Sequence, residues 1–249
     1  MREAKVPNVT VYFWAIKILS TALGEATSDY LVHAFNPYLA VIGGFVGFAV
    51  ALTIQFAATD YRPSVYWFAV VMVAVFGTMA ADVLHIQFGV PYAASAAAFA
   101  VVLAVVFGAW YLSEGTLSVK SISTPRREMF YWAAVVTTFA MGTALGDLAA
   151  YTAKLGFLTA GVLFAVIFAL PALGHRFLGL NAIVAFWAAY ILTRPLGASF
   201  ADWTGKARTT GALGLGDGPV SAVLVVAIVA LIVYLAVTKK DRQGSLVAA

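Results

Sequence analysis

The sequence contains no cysteine. Disulfide frameworks, thiolate zinc sites and iron–sulfur clusters are therefore excluded. Charged residues are also scarce: they make up 10% of the chain, whereas a soluble globular domain carries roughly 25%. Apolar residues make up 63%, and several apolar stretches reach the ~20 residues that a helix needs to cross a bilayer. The composition therefore predicts a single transmembrane domain over residues 1–249, with no room for a sizeable soluble module.

Enzyme motifs are missing as well. The chain has no HExxH zinc motif, no nucleotide-binding loop, no lipid-phosphate motif and no nucleophile paired with a base. We therefore expect neither an enzyme nor a cofactor, and an intramembrane enzyme that uses paired Asp on lipid is kept only as an alternative.

The pI near 9.3 does not indicate a nucleic-acid partner. The basic residues lie in short loops between apolar runs, where they set topology and contact membrane lipid.

Against this apolar background one motif occurs four times. It consists of an aromatic residue followed by Trp, nine further residues, Gly, four residues and Asp. The copies are Phe13-Trp14…Gly24…Asp29, Tyr66-Trp67…Gly77…Asp82, Tyr131-Trp132…Gly142…Asp147 and Phe186-Trp187…Gly197…Asp202. Such constant spacing indicates an internal repeat.

The apolar runs predict an all-α membrane protein of eight transmembrane helices, arranged as four two-helix repeats. The repeats cover residues 10–60, 63–113, 126–175 and 181–239. The first helix of each repeat carries the motif and covers residues 10–34, 63–87, 128–153 and 181–203. The second helices cover residues 37–57, 91–112, 156–174 and 219–238. Most loops are short, as between tightly connected hairpins. The longer loop from Ser113 to Pro125 divides the chain into two halves of two repeats.

The Lys and Arg residues predict the orientation. If the N-terminus is inside, ten of them fall on that side and three on the other. The first group is Arg2, Lys5, Arg62, Lys120, Arg126, Arg127, Arg176, Lys239, Lys240 and Arg242; the second is Lys154, Lys206 and Arg208. This asymmetry predicts that both termini are cytoplasmic and that the motif helices run from inside to outside, as parallel repeats. The N-terminus is similar to a signal peptide, but it contains the first motif copy, so we interpret it as a retained helix.

The motif Asp residues are the main candidates for a functional site. An Asp inside a membrane helix is costly unless it faces protein, water or an ion, so its recurrence in four helices indicates a role. Parallel helices with a rise of 1.5 Å per residue place the four Asp at one depth, about 10 Å outward from mid-membrane. If the motif helices form an inner ring, the carboxylates converge on one negatively charged region. The four are Asp29, Asp82, Asp147 and Asp202.

The motif Gly residues lie roughly 140° around the helix from the Asp residues, so we assign them to close helix contact or to a kink. They are Gly24, Gly77, Gly142 and Gly197. Pro195 removes a backbone hydrogen bond and predicts a broken fourth motif helix with freed carbonyls that are potential cation ligands. The motif Trp residues are interpreted as anchors at the inner membrane interface.

Further polar residues lie on the Asp face. One turn before each Asp stand Glu25, Thr78, Thr143 and Ala198, three of which offer oxygen atoms. The first repeat adds Lys17 and Thr21. Lys17 and Arg194 are the two cations within the predicted membrane segments. Either they neutralise Glu25 and some Asp in ion pairs that only hold helices in register, or a transported cation or a proton displaces them. His85, three residues after Asp82, is a candidate member of a proton relay.

Four acids in one low-dielectric region cannot all stay ionised, so some should exchange protons near neutral pH. We therefore predict a proton-coupled secondary transporter that exports a cation, with the four Asp and Glu25 as the cation or proton site. Oxygen ligands suit Mg²⁺, Ca²⁺ or Mn²⁺ rather than Cu⁺. One alternative is a cation channel with an Asp ring, although Lys17 and Arg194 place positive charge near such a pore. The other is a structural bundle in which Asp only hydrogen-bonds across helices. The sequence does not determine the oligomeric state.

The stretch from Lys17 to Asp29, together with the other three Gly-x4-Asp copies, resembles bacterial multi-span membrane proteins built from the DUF347 repeat, a repeat of unknown function. The resemblance covers most of the chain. It implies a multi-pass protein of the bacterial inner (plasma) membrane and no settled activity. Repeats two to four lack the Lys and Glu of the first repeat, so any role of Lys17 and Glu25 is asymmetric.

Overall fold

The computed structural model describes residues 4–242, and the regular structure within this range is entirely helical. Its long helices are α1 (Val11–Ala34), α2 (Pro37–Ala57), α3 (Pro63–Ile86), α4 (Tyr92–Glu114), α5 (Pro125–Asp147), α6 (Gly156–Leu178), α7 (Ala182–Gly205) and α8 (Asp217–Thr238). A π-helical stretch, Leu148–Thr152, continues α5, and 3-10 turns lie at Val119–Ser121 and Arg208–Thr210. The eight helices lie where the sequence predicts them.

Local capping chemistry explains where the helices begin and end. The side-chain oxygens of Thr10, Asn36, Thr124 and Asn181 accept hydrogen bonds from backbone N–H groups in the first turns of α1, α2, α5 and α7. Pro opens α2, α3 and α5, where its missing N–H costs nothing. Gly115 ends α4 in the left-handed conformation.

The four motif helices form a closed inner ring. α1 packs against α3, α3 against α5, α5 against α7, and α7 against α1. At each contact the motif glycine lies against the residue three positions before the glycine of the next repeat. The four pairs are Gly24 with Ala74, Gly77 with Phe139, Gly142 with Arg194, and Gly197 with Thr21. The glycines therefore serve close helix contact, and the same contact recurs around the ring.

The second helix of each repeat packs mainly on the motif helix of the following repeat. α2 lies on α3, α4 on α5 and α6 on α7, and α8 returns to α1. Gly44 and Gly47 of α2 let Met79 and Met72 of α3 approach closely. The two helices of a repeat are neighbours in sequence, but they are not each other's main packing partners.

Seven of the eight described helices, α2 to α8, are long and apolar enough to span a membrane. α1 differs because Lys17, Glu25 and Asp29 lie within it, yet it is enclosed by α3, α7 and α8. The outer helices expose large apolar side chains, among them Val46, Val105, Val166 and Val226. An apolar exterior around a polar interior is the arrangement expected in lipid. The chain is an all-α, multi-pass membrane protein.

The motif aromatics fill one end of the ring, called here the Trp end; the motif Asp lie towards the opposite end, the Asp end. Trp67, Trp132 and Trp187 are at most 4% exposed and belong to one apolar core. Within it the hydroxyls of Tyr66 and Tyr131 hydrogen-bond to each other. The interpretation of the motif Trp as membrane-interface anchors is wrong for these three, because their rings fill the space between the helices.

Segments near both chain ends pack over the Trp end. The Lys5 N–H donates to the Ile122 carbonyl at 2.9 Å, and the Asn8 N–H donates to the Asp241 carbonyl at 2.8 Å. The Asp241 carboxylate accepts a hydrogen bond from Tyr61. Burial, and then Asp241, raise the pKa of the Tyr61 hydroxyl, so this group stays the proton donor.

A buried carboxylate ties the N-terminal segment to two helices. Glu128 of α5 is 1% exposed. It pairs with Lys5 at 2.8 Å and accepts a hydrogen bond from Gln55 of α2 at 2.9 Å.

Candidate functional site

Arg194 lies inside the inner ring and contacts all three other motif helices. Its Nη2 atom lies 2.5 Å from Glu25 Oε2 of α1 and 2.9 Å from Thr143 Oγ1 of α5, and it also hydrogen-bonds to Thr78 of α3. Its Nη1 atom donates to the Thr21 carbonyl at 3.2 Å. The side chain is 1% exposed. One buried guanidinium therefore joins the four inner helices.

The threonines are acceptors toward Arg194, since their own protons are engaged elsewhere. Thr78 Oγ1 donates to the Ala74 carbonyl at 2.9 Å, and Thr143 Oγ1 donates to the Phe139 carbonyl at 3.0 Å. A hydroxyl has one proton and two lone pairs, so each of these oxygens presents a lone pair to the guanidinium. This level of the site therefore consists of oxygen from repeats one to three around a cation from repeat four.

A compact acidic cluster extends from Glu25 at this level toward the Asp end by about one helical turn. Glu25, Asp29 and Asp202 each present one carboxylate oxygen, and these oxygens lie within 4.8 Å of one another. Asp202 is 5% exposed, and its Oδ1 atom has no hydrogen-bond partner in the described part of the chain. Separations of this size allow a single ion to contact all three oxygens.

Lys206, just after α7, balances part of this charge. Its Nζ atom pairs with Asp29 and lies 3.8 Å from Asp202 Oδ1. Burial on its own would lower the pKa of Lys206, but the Asp29 and Asp202 carboxylates outweigh it and raise the pKa above its usual value. The ammonium group therefore stays charged beside the acids.

Asp82 and Asp147 lie at the edge of this cluster. Both are half-buried, and neither forms a hydrogen bond or ion pair among residues 4–242. Each interacts electrostatically with Glu25 and Asp29. Asp82 and Asp29 also line a cavity of about 200 Å³ between α1, α2 and α3, with the exposed Gln87 at its rim. Asp29 therefore belongs both to the acidic cluster and to the wall of a cavity that is bordered by exposed residues.

Asp147 is also the last residue of α5 before the helix changes type. The next residues form the π-helical stretch Leu148–Thr152, in which the Ala153 N–H donates to the Leu148 carbonyl at 2.8 Å. π-Helical insertions occur often at functional sites, since they change the direction of the side chains that follow.

Lys17 lies deeper in the ring, away from the acids. Its Nζ atom is fully buried and has no hydrogen-bond partner in the part of the chain that is described. It lies 3.9 Å from the ring centre of Phe139 and 4.3 Å from that of Tyr190. The interpretation of Lys17 as an ion-pair partner of Glu25 or Asp is therefore wrong, because aromatic faces and not carboxylates surround the ammonium group.

Two other sequence-predicted features differ in the structure. α7 is continuous through Pro195, so the prediction of a broken helix is wrong. The Thr21 hydroxyl of α1 has one proton to share between two carbonyls, that of Ile18 in its own helix at 2.6 Å and that of Thr193, in the turn before this proline, at 3.0 Å. The His85 ring stacks on Tyr92 at 3.7 Å and bonds through Nδ1 to the Val90 carbonyl. No hydrogen bond joins His85 to Asp82 within the described range.

Lys206 belongs to the functional site, although its place in a loop predicts only a contribution to topology. Its position four residues after Asp202 is the signal in the sequence, since this spacing brings side chains together on a helix. The proximity to Asp29 depends on the contact between α1 and α7, which the sequence does not reveal.

A family model described as "Repeat of Unknown Function (DUF347)" matches residues 65–116, 130–178 and 185–241. These segments contain the second, third and fourth motif copies, one per segment. No curated protein and no solved structure matches the chain. The chain belongs to the DUF347 family, and it is a multi-span helical membrane protein built from these repeats.

Proposed function

We propose that the protein is a proton-coupled secondary transporter that exports a cation, of the hard or borderline divalent class, across the bacterial inner membrane. The observation that supports this most is the cluster of Glu25, Asp29 and Asp202, whose oxygens lie within 4.8 Å of one another inside a membrane protein. Divalent cations such as Mn²⁺ and Ca²⁺ prefer such oxygen ligands.

The charge balance of the site supports exchange rather than permanent pairing. Within residues 4–242, five carboxyl groups, those of Glu25 and the four motif Asp, lie near two cationic side chains that pair with them, Arg194 and Lys206. So many acids in a low-dielectric interior cannot all be ionised at once. Either protons or an external cation must compensate the excess. Competition between the two for the same oxygens is the basis of proton-coupled exchange.

Arg194 and Lys206 hold the site when it is not loaded. Arg194 pairs with Glu25, and Lys206 pairs with Asp29. An incoming cation takes these carboxylate oxygens, and the two side chains swing aside. Protonation of the acids then releases the cation, and the ion pairs form again when the protons leave.

The position of open space supports a carrier rather than a channel. The cavity beside Asp29 and Asp82 lies near the protein surface, whereas Arg194, Lys17 and the aromatic core occupy the ring toward the Trp end. Positive side chains in the path of a cation oppose rapid conduction. Alternating access requires that the Trp end opens at another stage of the cycle.

Reconstituted protein in vesicles tests the proposal. We expect Mn²⁺ movement that a pH gradient drives, accompanied by proton movement in the opposite direction. Asp202→Asn and Glu25→Gln should abolish it, because each removes one carboxylate of the cluster. Asp60→Asn, in an exposed loop, is the matched control and should transport normally. Unchanged transport in folded Asp202→Asn would refute the proposal, as would ion currents far above carrier turnover.

A structural bundle is the second candidate, and the contacts of Arg194 to three other helices favour it. The two candidates differ for variants that keep the fold. If the polar interior only holds helices together, neither the wild-type protein nor a folded variant with altered acids transports a cation. If the protein is a transporter, such a variant unfolds like the wild type but loses transport. Catalysis on lipid is not part of either proposal.

A further inference from the structure

The helix ring has a seam between α1 and α7. Near the Asp end α8 covers this seam, where Val220 and Leu224 of α8 pack with Ala22 and Ala201 of the two inner helices. Toward the Trp end Tyr234 of α8 packs against Tyr12 of α1 at 5.4 Å, and the cavity beside Trp14 is lined by residues of α1, α6 and α7 and by none of α8 among the described residues. The remaining part of the seam is bordered by α6 and forms a groove, called here the α1–α6–α7 groove.

The groove has an apolar body and a polar mouth. The body is a cavity of about 500 Å³, and it adjoins a second cavity of about 470 Å³ with which it shares Val9, His175, Ala182 and Phe186. The body is lined by Trp14, Phe168, Leu173, Ala185 and Ala189. The mouth adds Ser118 and Lys120. Both volumes lie within the roughly 300–1,000 Å³ typical of ligand pockets.

Trp14 marks the groove as different from the equivalent positions of the other repeats. The other three motif Trp are buried in the core, whereas Trp14 is only partly buried. Its ring contacts Phe168 at 5.6 Å and Phe186 at 5.7 Å. Trp with one accessible side is the residue type that proteins place beside lipid near the headgroup region.

Lys120 gives the mouth its charge. Its side chain is exposed, and no ion pair involves it in the described part of the protein. A cation at the end of an apolar groove in a membrane protein complements an amphipathic anion. Anionic phospholipid has this chemistry and is abundant in the surroundings of such a groove.

We propose that the α1–α6–α7 groove binds an anionic phospholipid from the leaflet at the Trp end. One acyl chain lies against Trp14 and Phe168, and the phosphate lies at Lys120. The lipid fills the part of the seam that α8 leaves open, so it contacts both α1 and α7, the helices that supply the acidic cluster. The site does not depend on whether the protein transports a cation.

Fluorescence quenching by brominated lipid tests this proposal. The full chain is placed in vesicles that contain increasing fractions of brominated phosphatidylglycerol or brominated phosphatidylcholine. The difference between wild-type protein and Trp14→Phe isolates the signal of Trp14 from the other five Trp. We expect the anionic lipid to quench this signal at a clearly lower mole fraction than the zwitterionic lipid.

Substitutions that remove or keep the charge of Lys120 test whether the lipid phosphate binds at the mouth of the groove. Lys120→Gln should raise the anionic lipid fraction needed for half-quenching by about fivefold, and Lys120→Arg should keep the wild-type value. Arg62→Gln, an exposed basic residue between α2 and α3, removes the same charge elsewhere and should change nothing. Equal quenching by both lipids, or no effect of Lys120→Gln, overturns the proposal. So does an unquenched Trp14 together with a cross-linked dimer, because a second copy of the chain then covers the groove.

Discussion

Replacing a motif glycine by alanine measures how closely the inner helices pack. A methyl group on Gly24 would overlap Ala74 and lie 2.8 Å from its backbone carbonyl carbon. A methyl group on Gly197 would overlap the Thr21 hydroxyl and lie 2.9 Å from the backbone nitrogen of Ala22. Backbone atoms cannot move aside by a change of rotamer, so in both variants the helices themselves must separate.

Gly142 behaves like these two, and Gly77 differs. An added Cβ on Gly142 would lie 2.6 Å from both Cβ and Cγ of Arg194, and a Cβ atom does not move with a change of rotamer, so α5 and α7 must also separate. On Gly77 it would lie 3.2 Å from Phe139 Cβ, a distance that small shifts relieve. We therefore expect the Ala variants of Gly24, Gly142 and Gly197 to lose the most stability and that of Gly77 to lose the least.

A matched control separates packing from helix propensity. Gly43 lies on α2, and an added Cβ there has no neighbour within 4 Å. Any Gly→Ala change inside a helix gains about 1 kcal/mol of propensity, whereas overpacking costs ~1–3 kcal/mol. The gain cancels in the comparison, so Gly24→Ala should be about 1–3 kcal/mol less stable than Gly43→Ala.

Reversible unfolding in mixed detergent micelles, followed by Trp fluorescence, gives the required free energies. Gly43→Ala should unfold at a slightly higher denaturant fraction than wild type, and Gly24→Ala at a lower one. If the two variants unfold at the same point, the inner helices are not in backbone contact, and the ring described above is wrong.

Three further substitutions test buried charges. Arg194→Met leaves the Glu25 carboxylate buried without a partner, so the free energy of unfolding should fall by about 3–5 kcal/mol in the denaturant titration. Adding Glu25→Leu should restore most of this stability. An Arg194→Met variant as stable as wild type would contradict the buried ion pair. Glu128→Gln removes the ion pair with Lys5, so amide exchange at the N-terminal segment should accelerate, and unchanged exchange would show that this pair does not hold the segment. Lys17→Met keeps the apolar stem and leaves no acid unpaired, so we expect a free energy of unfolding equal to or higher than that of the wild type. A clear loss of stability would mean that the aromatic rings stabilise the ammonium group by more than its burial costs.

The helices and the close-packed glycines were predictable from sequence because both depend on position along a single helix. Apolar runs, N-cap residues and prolines locate the helices within a few residues, as for α3. The spacing of Gly and Asp determines their angular separation on a helix. The partner of each glycine was not predictable, since pairing Gly142 with Arg194 requires the handedness and stagger of the ring.

The environments of the two buried cations, Lys17 and Arg194, were also not predictable from the sequence. Lys17 and Arg194 both lie within motif helices, and the sequence allows Glu25 to pair with either of them. Arg194 reaches it because its position on α7 faces the turn of α1 that carries Glu25. Lys17 lies about two turns before Glu25 on the same helix, where Phe139 and Tyr190 surround it. A shift of two turns therefore changes an ion pair into an aromatic contact.

The residues at the centre of the ring differ between the four repeats, which is possible because the repeats are joined in one chain. Four identical two-helix subunits around a symmetry axis would present the same residue at every equivalent position. Four copies of Arg194 could not share the place that one guanidinium occupies, and they would repel one another. In a single chain each copy is free to differ, so one supplies Arg194, one supplies Glu25 and two supply Thr78 and Thr143. Covalent linkage of the repeats thereby permits an uneven distribution of charge inside an evenly built wall.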